Sequence, residues 1–393
     1  MERRMLGVFS AISFTSEMRR GMLRVFLILY LYEERGASLE QAGIIFALII
    51  MVNALSQIFW GWISDRIAKR KHFIILGEGI PGIAFLFLPK ITDILALAAV
   101  LITAQILWSM AAPAWKALIA EHSRPGKRGG VMGKITTFGG MGSMLGIYIV
   151  GDLIVQRGYA YLFYFGAFCM FLTALIALLL EEPKGLQPSR QKLLSAEQVK
   201  TLYTKHRPFS MFTLLVLLVF FAAELIERFI PVYVKFLGGD IRHVSWLFIL
   251  EDGVETALLT PMGWYTDKVG RVKMLQVSLA MRALAVLFFA ASPTWRYLFP
   301  VMMIWSAGWS AYNVSWFAVL SSLTPRGRRG TYMGFHSMIT SISSVGSVVG
   351  GSIADGLGLK VLFFSSFAFS TFVTFYFIKW LFKHDVTINE SEN

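Results

Sequence analysis

Charged side chains stand inside the apolar runs of this chain, and their spacing is the first place to look for chemistry. Early on, Glu17, Arg20 and Arg24 fall on one face of a helix at i,i+3 and i,i+4 intervals, close enough for ion pairing. Arg19 points away from that face and requires another partner. A later run carries Glu224, Glu227 and Arg228, with Glu224 and Arg228 one turn apart; the next carries Glu251, Asp252 and Glu255, with Glu251 and Glu255 on one face. Glu78, Lys116 and Arg282 add isolated charges. Carboxylates crowded together away from water resist ionisation, so such acids can take up and release protons; the alternative is a structural ion-pair network. Asn53, Gln57, Tyr312 and Asn313 could face a cavity and bind a solute, or serve ordinary hydrogen bonds between helices.

The elements that must position these groups are membrane-spanning helices. Of 393 residues, 56% are hydrophobic and 16% charged, with a mean hydropathy of +0.61; soluble domains carry about 25% charged residues. The apolar residues fall in runs long enough to cross a bilayer, for which about 20 helical residues suffice. No strand-like alternation occurs, which excludes a barrel. The net charge of +13 does not mark a nucleic-acid partner, because the bases lie between the runs. They concentrate in alternate loops, which by the positive-inside rule places both termini in the cytoplasm and makes the number of spans even. The single cysteine, Cys169, excludes an internal disulfide and a cysteine-cluster metal site, and the histidines show no metal-ligand spacing. There is no phosphate-binding G-x-x-x-x-G-K-[ST] loop and no cofactor motif, so no cofactor is expected.

The reading is an all-α polytopic membrane protein with twelve transmembrane helices in two pseudo-symmetric six-helix bundles. Residues 1–180 form the first bundle, 181–208 a basic cytoplasmic linker, and 209–393 the second bundle with a short tail. Among the predicted spans, the fourth covers 94–119, the seventh 209–236, the eighth 244–262 and the eleventh 331–353. Two matches define the repeat. Gly61-Trp62-Ile63-Ser64-Asp65-Arg66, with Lys69 and Arg70 behind it, returns as Gly263-Trp264-Tyr265-Thr266-Asp267-Lys268 with Arg271. Arg128-Gly129 with Gly133 returns as Arg329-Gly330 with Gly334 at nearly the same offset. Gly142 and Gly146, and Gly346 and Gly350, have the small-xxx-small spacing of closely approaching helices.

These loop motifs resemble the G-x-x-x-D-[RK]-x-G-[RK]-[RK] pattern of the major facilitator superfamily, with Ala68 where the pattern prefers glycine and Gly270 in the second copy. The resemblance implies the major facilitator fold and a secondary transporter in the plasma membrane, not an enzyme, whose two bundles rock about a central cavity. It implies that Gly61, Asp65, Arg66, Lys69 and Arg70, with Gly263, Asp267, Lys268 and Arg271, act as a conformational latch. Asp65 would meet the helix start near Gly330 and Thr331, and Asp267 the one near Gly129 and Gly130. A monomer moving a small organic solute is expected, proton-coupled and exporting. A symporter for charged or zwitterionic metabolites is the alternative, favoured by the Arg20 and Arg24 face. Glu224-Leu225-Ile226-Glu227-Arg228-Phe229 is also similar to a run in proton-coupled peptide transporters, though there it belongs to the first helix. A receptor or membrane enzyme would need a ligand domain or a catalytic constellation, and the sequence holds neither.

Overall fold

The computed structural model describes residues 3–67, 69–123, 128–182, 207–324 and 329–383. Ala68, most of the linker and the tail, and the side chains of 124–129 and 325–331, lie outside the described residues. All regular structure among the described residues is helical. The helices before the linker are α1 (Arg3–Leu29), α2 (Leu39–Ile67), α3 (Arg70–Phe87), α4a (Ile94–Trp108), α4b (Ala111–His122), α5 (Arg128–Arg157) and α6 (Ala160–Ala177). After it come α7a (Arg207–Glu224), α7b (Ile230–Phe236), α8 (Ile241–Val269), α9 (Arg271–Ala291), α10 (Leu298–Ser322), α11a (Arg329–Thr340), α11b (Val345–Leu357) and α12 (Leu359–Lys383). Nine helices among the described residues, several of them built from two consecutive pieces, are long and apolar enough to cross a membrane. The long helices outside that set are α1, α8 and α10, where charges or a series of Trp, Ser, Tyr and Asn residues interrupt the apolar run.

Three predicted spans are broken, and each break has a local cause. Pro113 lacks the N–H that would bond the Ser109 carbonyl, and its ring crowds that carbonyl, so the chain tightens at Ser109 and Met110 between α4a and α4b. Pro231 does the same to the carbonyl of Glu227, and a short 3-10 turn, Glu227–Phe229, separates α7a from α7b. Between α11a and α11b, Ser341–Ser344 is also 3-10; here Thr340 Oγ1 and Ser341 Oγ bond the carbonyls of His336 and Met338, a pattern that bends helices.

Contacts divide the chain into two units. One contains α1, α2 from Leu48 onward and α3 to α6, with Ile241–Ile249 of α8; the other contains Ser38–Ala47 of α2, α7, α8 from Leu250 onward and α9 to α12. Each sequence repeat thus lends one helix end to the other's unit. Inside the first unit α5 crosses α1 at the predicted glycines: a Cβ on Gly142 would stand 2.1 Å from the Phe14 carbonyl oxygen, and one on Gly146 2.2 Å from that of Met18. Inside the second, Gly346 and Gly350 meet the carbonyls of Phe221, on α7a, and Leu225, just past its end, in the same way. Lipid tails are as apolar as the helix faces, so this closeness of packing, rather than hydrophobic exclusion, drives the association. Below the glycine crossings Met5, Phe9 and Ile12 of α1 pack with Phe73, Ala114 and Leu118, and Phe212 and Val216 of α7a pack with Leu279, Tyr312 and Phe377.

A methyl at Gly350 would lie 2.1 Å from the Leu225 oxygen, whereas one at Gly356 on the same helix meets nothing within 4 Å. Gly350→Ala is expected to lower the thermal unfolding midpoint of the detergent-solubilised protein, by the equivalent of about 1–3 kcal/mol of overpacking. Gly356→Ala should leave it unchanged.

Candidate functional site

In the first unit the charges of α1 gather at the break in α4. Arg19 is buried, and its guanidinium lies 3.6 Å from the Glu78 carboxylate and 4.3 Å from the ring centre of Trp108, the last residue of α4a. Glu78 Oε1 accepts from Trp108 Nε1 at 2.8 Å and from Ser16 at 3.4 Å. Two buried charges are thereby compensated, and the indole is fixed in place. Glu17 and Arg20 form the i,i+3 pair that their spacing predicts, at 2.6 Å, and the Arg20 guanidinium lies 5.8 Å from the same indole. Arg24 leaves this group and lies over the Phe248 ring. Asn53 and Gln57 come together on α2 and are joined by Gln105 of α4a, a residue the sequence reading did not single out; Asn53 Oδ1 accepts from both amides, at 3.1 and 2.9 Å.

In the second unit the break in α7 carries the charges. Arg228 holds Glu224 through two parallel hydrogen bonds of 3.1 and 3.0 Å, the bidentate geometry that makes such pairs strong, and lies over the Phe46 ring. Glu251 and Asp252 of α8 are buried. Glu227, Glu251 and Glu255 all act electrostatically on Arg282 of α9, with Glu227 the strongest of the three. That guanidinium lies over two aromatic rings, 4.2 Å from the centre of Trp305 and 4.7 Å from that of Trp309. Tyr312 lies wholly inside the bundle, stacked between Trp309 and Trp316, and Asn313 beside it is half-buried.

The repeated loop motif takes two forms. In the first copy Arg70 bridges Asp65 at 2.9 Å and Glu121 of α4b at 2.6 Å, Arg66 lies over Trp62, and Gly61 faces Pro113. Lys69 is exposed, as are Asp267 and Lys268 of the second copy; Gly263 and Arg271 are half-buried. Gly270 has φ +95°, a conformation suited to glycine, which explains its place in the motif. The surroundings of Gly129, Gly330 and Thr331, toward which the resemblance directs the two aspartates, lie outside the described residues.

The opposite helix ends hold contacts that the sequence reading missed. At the start of α2, Ser38 and Gln41 form a reciprocal capping box, with bonds of 3.1 and 3.0 Å. The next two unsatisfied N–H groups, of Leu39 and Glu40, donate to the Asp355 carboxylate of α11b at 3.1 and 2.8 Å. Ser347 Oγ donates to the Gly43 carbonyl at 2.9 Å, and a Cβ on Gly351 would stand 2.4 Å from the Leu39 oxygen. The start of α8 sits on α5 in a parallel fashion: Arg242 reaches Asp152 at 3.5 Å, Trp246 packs on Tyr148, and Gly151 makes room for Ser245. Asp355 lies beyond the predicted end of its span at 353, which is why it escaped notice; its position in the repeat, close to that of Asp152, is the signal that could have found it.

Comparison with known proteins fits this geometry. The family model described as Major Facilitator Superfamily matches residues 9–251 and 241–392. An uncharacterised MFS-type transporter of Methanocaldococcus jannaschii is 25% identical over 92% of this chain and 94% of its own length. The multidrug resistance protein MdtG of Serratia proteamaculans is 27% identical over 68% of this chain and 66% of its own. Among solved structures, the nucleoside transporter NupG superposes with a TM-score of 0.79 at 14% identity, covering 95% of this chain and 98% of NupG. A POT family transporter in complex with a thioalcohol-conjugated peptide gives 0.79 at 15% identity, over 98% and 97%. At such identities the structures attest the fold alone. With a family model spanning nearly the whole chain, the protein belongs to the Major Facilitator Superfamily and is a multi-pass membrane transporter, not an enzyme.

Proposed function

We propose that this chain is a proton-coupled secondary transporter that exports small organic solutes by alternating access, with twelve spans and both termini in the cytoplasm. The observation that carries the reading is the break in α7, where Glu227 stands in a 3-10 turn rather than a continuous helix and acts, with Glu251 and Glu255, on Arg282. Discontinuous helices at mid-membrane expose backbone and charge where solutes and coupling ions bind in secondary transporters. A proton arriving on one of these acids weakens its hold on Arg282, and a change in charge pairing is a change in which conformation is favoured. The relationship to MdtG, named for multidrug resistance, supports export.

On this orientation the starts of α2 and α8 face the outside, and their contacts with α11b and α5 are an outer closure that has to break once per cycle. The Asp355 carboxylate satisfies two α2 N–H groups only in the closed arrangement; opening hands both to water. The alternative of a symporter for charged metabolites draws on Arg20, whose side chain is 55% exposed.

In proteoliposomes, an imposed pH gradient should drive accumulation of a transported solute, and a protonophore should abolish it. Glu227→Gln should lose the pH-driven component while keeping solute counterflow; full pH-driven accumulation in that variant would remove Glu227 from the mechanism. Asp355→Ala, which removes both acceptors of the Leu39 and Glu40 N–H groups, should weaken the outer closure by about 1 kcal/mol, about a fivefold change in the opening equilibrium. That shift is read as faster modification of a cysteine placed at the buried Ser347 by a membrane-impermeant thiol reagent, and an unchanged rate contradicts the role given to Asp355.

A further inference from the structure

The break in α4 presents an arrangement that neither the repeat nor the proton-coupling acids account for. Trp108 is half-buried, so part of its indole remains reachable, yet the ring is not free to turn: Glu78 holds its N–H at 2.8 Å and Arg19 packs against it at 4.3 Å. Beside this fixed aromatic surface stands Arg20, with its guanidinium 5.8 Å from the ring centre. Among the described residues Glu17 is the acceptor that this guanidinium has, through Nη1, and an arginine offers five N–H donors. The side chain is 55% exposed. Arg20 lies near the middle of a helix that runs from Arg3 to Leu29 and continues to Glu34, a helix that the transporter reading takes across the membrane. Exposure to lipid there costs about 2.5–3.5 kcal/mol or more, which directs the group into a water-filled cavity.

The local charge is positive in sum: Arg19, Arg20 and Lys116, which repels Arg20 electrostatically, outweigh Glu17 and Glu78. An organic cation is disfavoured at such a place, and an anion relieves the repulsion. One turn before Trp108, Gln105 belongs to the amide cluster with Asn53, which adds hydrogen-bonding groups for polar substituents.

From a fixed indole, an adjacent exposed guanidinium and a net positive setting, we propose that the α4 break recognises planar aromatic carboxylates, the ring stacking on Trp108 and the carboxylate pairing with Arg20. Glu78 and Arg19 are positioning residues that hold the indole. The inference rests on the transporter reading, since it names the solute class that the first unit binds.

The test is equilibrium binding of radiolabelled 2-naphthoate to the full-length protein purified in detergent. Two competitors are compared with it: 2-naphthalenemethanol, which keeps the rings and lacks the charge, and cyclohexanecarboxylate, which keeps the charge and lacks the planar ring. Naphthoate should bind wild type, and each competitor should be at least about tenfold weaker. Arg20→Gln and Trp108→Leu should each weaken naphthoate by about fivefold or more, while Trp108→Phe, which preserves an aromatic face, should recover most of the affinity. The competitor series needs no variant, so a misfolded mutant cannot shield the inference. Equal binding of naphthoate and the alcohol, wild-type affinity in Arg20→Gln or Trp108→Leu, or no naphthoate binding to wild type overturns it. Gradient-driven accumulation of some other solute without naphthoate binding refutes this specificity and leaves the transporter reading standing. Naphthoate binding without gradient-driven flux of any solute refutes the transporter reading instead.

Discussion

A charge inside hydrocarbon must find an opposite charge, an aromatic face or water, and the interior of both units is arranged around that requirement. Arg19 meets it with Glu78 and the face of Trp108, Arg282 with the faces of Trp305 and Trp309 and the field of Glu227, and Arg228 with a bidentate grip on Glu224. Removing one member of such a set leaves the other uncompensated, at a cost of about 3–5 kcal/mol for a buried pair. The members of each cluster are thus energetically coupled, and a change of charge at one is felt by its partners. The same requirement separates Arg20 from Arg19. Adjacent in sequence, one is sealed into the bundle and the other is left exposed beside the same indole.

Two prolines, Pro113 and Pro231, open breaks beside Trp108 and Glu227, while Arg19, Arg20, Glu78, Glu251, Glu255 and Arg282 stand within continuous helices. The first break follows Trp108, the aromatic surface of the first unit, and the second holds Glu227, whereas Glu251, Asp252 and Glu255 are carried by the unbroken α8. Where the prolines act on helix continuity, the glycines act on packing: Gly142 and Gly146 seat α5 against α1, and Gly346 and Gly350 seat α11b against the end of α7a. The units are built alike but charged differently.

Much of this was legible in the residue order. The helical, membrane-spanning architecture followed from the length of the apolar runs, the close helix crossings from the glycine spacing, and the pairs Glu17–Arg20 and Glu224–Arg228 from helical periodicity. The breaks were missed because the predicted spans run on across them; Pro113 and Pro231, each acting on the carbonyl four residues earlier, were the available signals for two, and the Thr340–Ser344 run for the third. The partnership of Arg19 with Glu78 joins α1 to α3 and has no local pattern. The same holds for Asp355 and the start of α2, since a carboxylate capping a distant helix leaves no periodicity to read. Tyr312 was singled out for its polar hydroxyl, and its ring stacks with those of Trp309 and Trp316 one turn to either side.

The central claim is that the contacts between the start of α2 and α11b form and break in each transport cycle. Cysteines introduced at Glu40 and Asp355, whose backbone and side chain are hydrogen-bonded, allow those helices to be locked by oxidation in a protein whose buried Cys169 is replaced by serine. The account predicts that the oxidised double-cysteine protein in proteoliposomes neither accumulates nor exchanges solute, and that reduction restores both. Undiminished transport with the disulfide fully formed would contradict it.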